Sequence, residues 1–385
     1  MRMRRKKLIA VLLCAEIVLS FAGCSKKKDP VSESKLSKNA PATVSEESSD
    51  QKDPSDTSAK APSESTSEST AAPTATPLPS ATPIPSVTPR AASYFGEFQP
   101  YVISDVMKDY LGEENVQDYY NFCEAVLAEK DSFPCHSFEG YSDAYYLLSR
   151  SFFPYGYDAV CCPEESDFKD GVAKIRYEET KEWRQQHYNE LKEATEKIVS
   201  EVFREEYSDF EKMIALYQYF ANNYVYDYDM NHVIDGYREV YLPLMKKTGV
   251  CNEFSGAYAF LLHQVGVEVD FANGNINEGS IGHRWNIVRL DGEYYFVDTT
   301  WALSSKSLRY FLMDTDQRTQ NGTEFSEGID YTDAPVYDEN NLQITSRKYS
   351  ELWDALSFEV DYDHDLIRYS VLNDEGKVVE KEFHY

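Results

Sequence analysis

The chain has 385 residues, 42% of them hydrophobic, with seven cysteines and a formal net charge of −28 at pH 7. This length leaves room for a signal segment, a linker and one large or two small folded domains. Residues 1–23 carry +4 and residues 24–92 carry −1, so about −31 belongs to the remainder. A domain this acidic repels nucleic acid and anionic lipid, which argues against DNA or RNA as a partner.

Residues 1–23 are typical of a secretion signal. Five basic residues lie between Arg2 and Lys7, and the apolar run after them is interrupted by Glu16 and is too short to span a membrane. The following Ala22-Gly23-Cys24 resembles a bacterial lipobox, with Cys24 as the lipidated first residue of the mature protein. We therefore predict an extracytoplasmic protein, lipid-anchored to the cell membrane through Cys24. Ordinary cleavage without lipidation is the alternative.

Residues 24–92 are rich in Ser, Thr, Pro, Ala and Glu and contain little that a core could bury. Such a segment cannot offset its ordering entropy, and we expect it to be disordered. Its distal part repeats a proline-containing hexapeptide, which favours an extended chain of about 3.1 Å per residue. The segment is either a spacer that lifts a domain away from the membrane or a tail with no length requirement.

Residues 93–204 read as a mainly helical N-terminal part. Helical patterning covers 116–130 and 141–152, and a long charged helix is predicted over 178–203. This part contains four cysteines, and Cys123–Cys135 is the easiest disulfide by spacing, although free thiols fit equally well. The cysteine and histidine spacing is not typical of a zinc site, and we predict no metal and no cofactor. The other two cysteines are Cys161 and Cys162.

The region 205–320 contains the residues of chemical interest. Ser208 and Glu211 form a capping-box pattern that begins one helix, and a second helix is predicted after the break at Gly249. Cys251 falls in the first turn of that second helix, where the helix dipole and unpaired N–H groups favour the reactive thiolate. A small cysteine that packs as a hydrophobic residue is the alternative.

Two strand-like runs, 283–290 and 293–300, are separated by Asp291-Gly292, a strong hairpin signal. A two-residue turn pairs Leu290 with Glu293, so His283 and Asp298 become diagonal neighbours on one face. A register shift of one residue would separate them. The alternative is an ordinary polar contact between neighbouring strands.

Cysteine, histidine and aspartate together are the parts of an activated thiol nucleophile. Three motifs carry a family resemblance: Gly-x-Cys at 249–251, His-x-Trp at 283–285 and Asp-x-Thr-Trp at 298–301. With these motifs, residues 205 to 315 resemble the transglutaminase-like superfamily, which is related to papain-like enzymes. Arg284 occupies a position where that family more often has a small residue, but strand alternation points it away from His283.

The resemblance implies an α+β fold with a papain/transglutaminase-like core. In such a core the nucleophile lies at the N-terminus of a helix packed on an antiparallel β-sheet, preceded here by the helical segment. It also implies a catalytic triad of Cys251, His283 and Asp298. In this family an aromatic or amide side chain often helps to stabilise the oxyanion, and Tyr226 is the candidate for that role.

Residues 321–385 read as a loop followed by β-strands, which either extend the core sheet or form a small separate module. The function expected from the resemblance is thiol acyl transfer at the cell surface on protein or peptide amide bonds. Cysteine peptidase or amidase activity and transglutaminase activity both fit, and the substrate could be associated with the cell wall. A catalytically inactive surface-binding module of the same fold is the alternative.

Overall fold

A computed structural model describes residues 98–148, 159–228, 240–276, 281–305, 307–320, 329–330 and 344–385. The predicted signal segment, Cys24 and the predicted tether lie outside these residues. Within the described part of the chain, no helix is both long enough and apolar enough to cross a membrane.

The N-terminal part combines helices with a small antiparallel sheet. Its described elements are α1 Asp105–Leu111, α2 Glu113–Leu127, β1 Ser132–Pro134, α3 Phe138–Leu148, β2 Phe168–Lys169, β3 Val172–Lys174 and α4 Lys181–Val202. The three short strands lie in the order β1-β3-β2. Helix α4 is capped by Thr180, whose hydroxyl accepts from the Trp183 N–H at 3.2 Å.

The central part contains α5 Asp209–Asn223, β4 Val225–Tyr226, α6 Tyr241–Lys246, β5 Thr248–Gly249, α7 Cys251–Gln264, β6 Val269–Ile276, β7 Ile281–Leu290, β8 Glu293–Val297, α8 Thr299–Ser305, α9 Thr315–Gln320 and β9 Ile329–Asp330. It is built around an antiparallel sheet with the strand order β8-β7-β6-β9. The two-residue strands β4 and β5 form a separate parallel pair, and β5 lies just before α7 in sequence.

Helix α5 begins at the predicted capping box and packs against α7. Ser208 Oγ accepts from the Glu211 N–H at 3.3 Å, and Glu211 Oε2 accepts from the Ser208 N–H at 2.7 Å. The apolar stripe of α5 is buried in the same core as α7, and the Tyr258 hydroxyl donates to the Met213 carbonyl at 2.9 Å. The start of this helix agrees with the sequence prediction.

Apolar side chains cover both faces of the central sheet. Val288, Leu290 and Val297 belong to a core shared with α4, α5 and α7. Trp285 and Phe296 belong to a second core shared with the N-terminal part. The sheet is therefore the common layer between two hydrophobic cores.

The C-terminal residues form an antiparallel sheet of their own, with β10 Ser357–Asp361, β11 Leu366–Leu372 and β12 Val378–His384 in that order. Tyr385 stacks on Phe210 of α5 with ring centroids 4.3 Å apart. Of the two sequence alternatives, the structure has the small separate module.

Strand β6 continues to Ile276 and β7 begins at Ile281, so residues 273–276 and 281–282 are strand. A 3-10 turn, Leu308–Tyr310, precedes a bridge between Met313 and Phe296.

Cys123 and Cys135 do not form the disulfide that their spacing allowed. Both are buried free thiols. The Cys135 sulfur lies 3.2 Å from Asp118 Oδ2 and 3.0 Å from the Ser137 carbonyl. The polar groups of α2 and of the turn before α3 therefore hold this thiol.

Candidate active site

Cys251 is the first residue of α7, as the sequence predicted. Val250 precedes it in extended conformation, and the Glu253 side chain accepts a hydrogen bond from the Val250 N–H at 3.0 Å. Gly249, one residue earlier, is held beside Tyr226 by the β4–β5 pairing. The thiol is free and partly exposed. The first N–H groups of a helix have no acceptor within the helix, so they can serve a ligand.

His283 lies on β7 opposite Gly274 of β6 and is buried. Its Nε2 is 2.7 Å from Asp298 Oδ2, which leaves Nδ1 as the ring nitrogen for the Cys251 sulfur. The imidazole also stacks on the indole of Trp301 with ring centroids 5.1 Å apart. Two partners and a stacking surface therefore orient this ring.

Asp298 reaches His283 in a way that the hairpin argument only partly predicted. The register is correct, because Leu290 pairs with Glu293 and Asn286 pairs with Val297. The predicted strand to Thr300 is wrong, since β8 ends at Val297 and α8 begins at Thr299. Asp298 Oδ1 accepts from the Trp301 N–H at 3.1 Å, so the carboxylate caps α8 and ends the strand.

The charges of the site favour a protonated imidazole beside a carboxylate. Burial disfavours the imidazolium, but the charge and hydrogen bond of Asp298, together with Cys251, raise the pKa of His283 to about 9. Burial also works against an ionised Asp298, yet the charges of His283 and Arg318 keep the pKa of its carboxyl below the ordinary value. The pair is therefore an imidazolium–carboxylate pair at neutral pH.

Arg318 is a member of this site that the sequence did not reveal. Its Nη2 lies 3.1 Å from Asp298 Oδ2, and both side chains are 0% exposed. The guanidinium carbon lies 4.1 Å from the ring centroid of Trp285 and 4.3 Å from that of Trp301. The sequence offers only an indirect signal for Arg318, because a buried carboxylate such as Asp298 needs a positively charged partner.

Tyr226, the candidate for oxyanion stabilisation, lies on β4 with its ring 6.2 Å from that of Phe254 in α7. Burial, followed by the charge at Cys251, raises the pKa of Tyr226 to about 12. Its hydroxyl therefore keeps its proton at neutral pH and is available as a donor. The role itself stays a prediction.

Arg284 points away from His283, as alternation predicted. Its Nε donates to Asn273 Oδ1 at 3.0 Å, and its guanidinium lies over the Phe271 ring at 5.1 Å. Among the described residues, no three His, Cys, Asp or Glu side chains gather as a metal site would require.

The arrangement agrees with a comparison to known families. Residues 196–299 match the family model of the transglutaminase-like superfamily. The chain contains a transglutaminase-like domain. The matched segment includes Cys251, His283 and Asp298 but ends before Arg318, and the mixed helix-and-sheet structure around it fits the α+β papain-like core.

Two curated relatives of the transglutaminase-like domain are the kyphoscoliosis peptidases of Mus musculus and Homo sapiens. Each is 24% identical, over 125 and 124 residues respectively, and each alignment covers 29% of this chain. The chain spans only about a fifth of these relatives, 19% and 18% of their lengths. A solved structure of a candidate cysteine protease from Cytophaga hutchinsonii is 17% identical to this chain, with a TM-score of 0.27. The alignment covers 38% of this chain and 45% of the solved chain.

Proposed function

We propose that this protein is a cysteine-nucleophile acyl-transfer enzyme that acts on protein or peptide amide bonds. The observation that carries the proposal is the position of the Cys251 thiol at a helix N-terminus beside the buried His283–Asp298 pair. The word peptidase in the names of the two curated relatives supports amide bonds as the target.

In the first half-reaction the Cys251 thiolate attacks the carbonyl carbon of the substrate amide. The resulting oxyanion accepts a hydrogen bond from the Cys251 backbone N–H, with the Tyr226 hydroxyl as a second candidate donor. Collapse of this intermediate breaks the C–N bond, and the His283 imidazolium gives its proton to the leaving amine. The products are a free amine and a thioester on Cys251.

In the second half-reaction the neutral His283 removes a proton from the attacking group. Water as the attacking group gives a carboxylic acid, whereas a primary amine gives a new amide and therefore a crosslink. In both cases the thiolate leaves and the thiolate–imidazolium pair forms again. Asp298 keeps Nδ1 of the imidazole directed at the sulfur throughout. We favour hydrolysis, in line with the peptidase relatives.

The location proposed for this activity is the outer face of the cell membrane, reached through the signal segment and a lipid on Cys24. The support is the lipobox-like Ala22-Gly23-Cys24, together with the acidic net charge, which disfavours binding to an anionic membrane through charge alone. Cys24→Ser should move the protein from the membrane fraction to the medium. Retention of the variant in the membrane fraction would contradict the lipid anchor.

The first test of the chemistry is the rate of Cys251 alkylation by iodoacetamide as a function of pH. Cys161 is partly exposed and Cys162 exposed, so the measurement uses residues 93–385 in a Cys161→Ser/Cys162→Ser background. An ordinary cysteine has its midpoint at about pH 8.5. We expect a clearly lower midpoint that rises in His283→Ala, because the imidazolium stabilises the thiolate.

Activity is then measured on labelled casein, with and without a dansylated diamine as acceptor. New N-termini indicate hydrolysis, and incorporation of the dansyl group indicates transfer. Cys251→Ala should abolish both while leaving the melting temperature nearly unchanged. An ordinary midpoint that does not respond to His283→Ala would overturn the proposal and favour the inactive binding module.

A further inference from the structure

We propose that Arg318 is a positioning residue of this site: its guanidinium holds Asp298 as a carboxylate and balances the charge of the Cys251 thiolate–His283 imidazolium pair. This inference rests on the proposed thiol chemistry. Arg318 lies on α9, outside the segment that matches the family model.

The contacts join Arg318 to the site through one atom. Asp298 Oδ2 is hydrogen-bonded to His283 Nε2 at 2.7 Å and forms an ion pair with Arg318 Nη2 at 3.1 Å. Trp285 and Trp301 cover the guanidinium and also contact the imidazole, with His283–Trp285 centroids 5.8 Å apart and His283–Trp301 centroids 5.1 Å apart. The position of the guanidinium is thus tied to the position of the catalytic ring.

The Arg318 guanidinium makes the reactive state of the site electrically neutral. With Arg318 present, the reactive state holds a thiolate, an imidazolium, a carboxylate and a guanidinium, and its net charge is zero. Without Arg318, the same state is net negative, and the neutral state becomes the thiol with the imidazolium. Since an uncompensated charge in a buried site is costly, loss of Arg318 should shift Cys251 towards the unreactive thiol.

Among the residues that the structure describes, the tyrosines that face Asp298 do not supply the missing positive charge. Tyr217 on α5, Tyr226 on β4 and Tyr310 before α9 face Asp298. Burial raises the pKa of each tyrosine, so all three are neutral near pH 7. Glu253 in α7 adds a carboxylate near Tyr226, which opposes a thiolate.

A purely structural role would give a different outcome, and a second buried arginine serves as the matched control. Arg184 on α4 has a 5% exposed side chain, forms an ion pair with Glu129 and lies 3.8 Å from the Tyr177 ring centroid. It resembles Arg318 in burial, charge partner and aromatic contact, but it belongs to the N-terminal part. Arg184→Met should lower the melting temperature without moving the alkylation midpoint of Cys251.

The experiment compares Arg318→Met, Arg318→Lys and Arg184→Met in the Cys161→Ser/Cys162→Ser background of residues 93–385. Arg318→Met should raise the Cys251 alkylation midpoint by about one pH unit, which slows alkylation by roughly tenfold at any pH well below both midpoints. Arg318→Lys keeps the charge and should return the midpoint close to the unsubstituted value. If Arg318→Met does not fold, Arg318→Gln replaces it. The expected midpoint is the same because the glutamine side chain is also neutral, and its amide offers Asp298 a polar partner.

An unchanged midpoint in the neutral variants, together with a lowered melting temperature, would overturn the inference and leave Arg318 as a packing residue. So would a midpoint in Arg318→Lys that is raised as far as in Arg318→Met. These outcomes differ from failure of the proposed function. In that case the unsubstituted protein itself would show an ordinary midpoint that is insensitive to His283→Ala.

Discussion

The two oxygens of the Asp298 carboxylate have different partners. Oδ1 accepts from the Trp301 N–H and caps α8, whereas Oδ2 is hydrogen-bonded to His283 and forms an ion pair with Arg318. One side chain thus ends a strand, starts a helix, orients an imidazole and neutralises a buried guanidinium. Its replacement should therefore affect both stability and chemistry.

Asp298→Asn keeps the shape of the side chain and its capping oxygen but removes the negative charge between two cations. Because Arg318 is then a buried charge without its counter-ion, the free energy of unfolding should fall by roughly 3–5 kcal/mol. Urea unfolding of residues 93–385 measures this change. The double variant Asp298→Asn/Arg318→Met should recover part of the loss, and no recovery would mean that the charge pair is not the cause.

The histidine predicts a pH dependence of stability. Its pKa of about 9 in the folded chain exceeds the ordinary 6.5, so the folded state binds the proton more tightly. The stabilisation is fully present below about pH 6.5 and is lost as the pH rises through 9. The free energy of unfolding should therefore fall from pH 6 to pH 8, and His283→Ala should flatten that decline.

The fall in the free energy of unfolding is expected only up to about pH 8, because a buried lysine opposes it at higher pH. Burial lowers the pKa of Lys247 to about 8, against an ordinary value of 10.5, so Lys247 contributes the opposite slope at higher pH. Equal slopes for the unsubstituted protein and His283→Ala between pH 6 and pH 8 would contradict the raised pKa of His283.

Among the secondary-structure elements, local signals predicted the register of the central hairpin but not the point where it ends. Asp291 and Gly292 have φ values of 54° and 85°, which a two-residue turn of this kind requires, so the pairing could be counted from them. The run after Asp298 contains two threonines and a tryptophan, which favour a strand. The capping bond to Trp301 overrides that preference, and it depends on a backbone path that spacing does not reveal.

The parts of the candidate site that the sequence could reveal lie beside local folding signals. Cys251, His283 and Asp298 lie next to a helix break and a hairpin turn, so their placement follows from local patterns. Arg318 lies 20 residues beyond Asp298 on another helix, with no periodic relation to it. Only the folded chain brings the two together.

The hairpin turn offers a test at the level of an element. Gly292 has φ of 85°, which an L side chain rarely adopts, although a Cβ there would meet no atom within 4 Å. Gly292→Ala should therefore destabilise the protein by about 1 kcal/mol through backbone strain alone. The control is Gly282→Ala on β7. A Cβ at Gly282 also meets no atom within 4 Å, and Gly282 has no left-handed φ. Equal losses in urea unfolding for the two variants would show that strain at Gly292 is not the cause.

In the whole molecule, residues outside the transglutaminase-like segment 196–299 cover that segment on both sides. Phe122, Phe133 and Tyr141 of the N-terminal part lie in one core with Trp285 and Phe296 of the central sheet. Phe98 and Leu191, which also lie outside the segment, contribute to the core on the other side. The boundary predicted at 204/205 therefore divides the sequence but separates no hydrophobic core.

We therefore expect residues 205–385 alone to fail to fold, whereas residues 93–385 should unfold in a single transition. Trp285, Ile287 and Phe296 are at most 1% exposed, and removal of the N-terminal part would bring these side chains towards water at about 1.5–3 kcal/mol each. Urea unfolding followed by tryptophan fluorescence and by far-UV circular dichroism tests both statements.

Phe122→Ala, placed wholly within the N-terminal part, should lower the midpoint of both signals equally, because one cooperative unit contains both cores. A soluble 205–385 fragment with an unchanged Cys251 alkylation profile would instead mean that residues 205–385 fold without the N-terminal part.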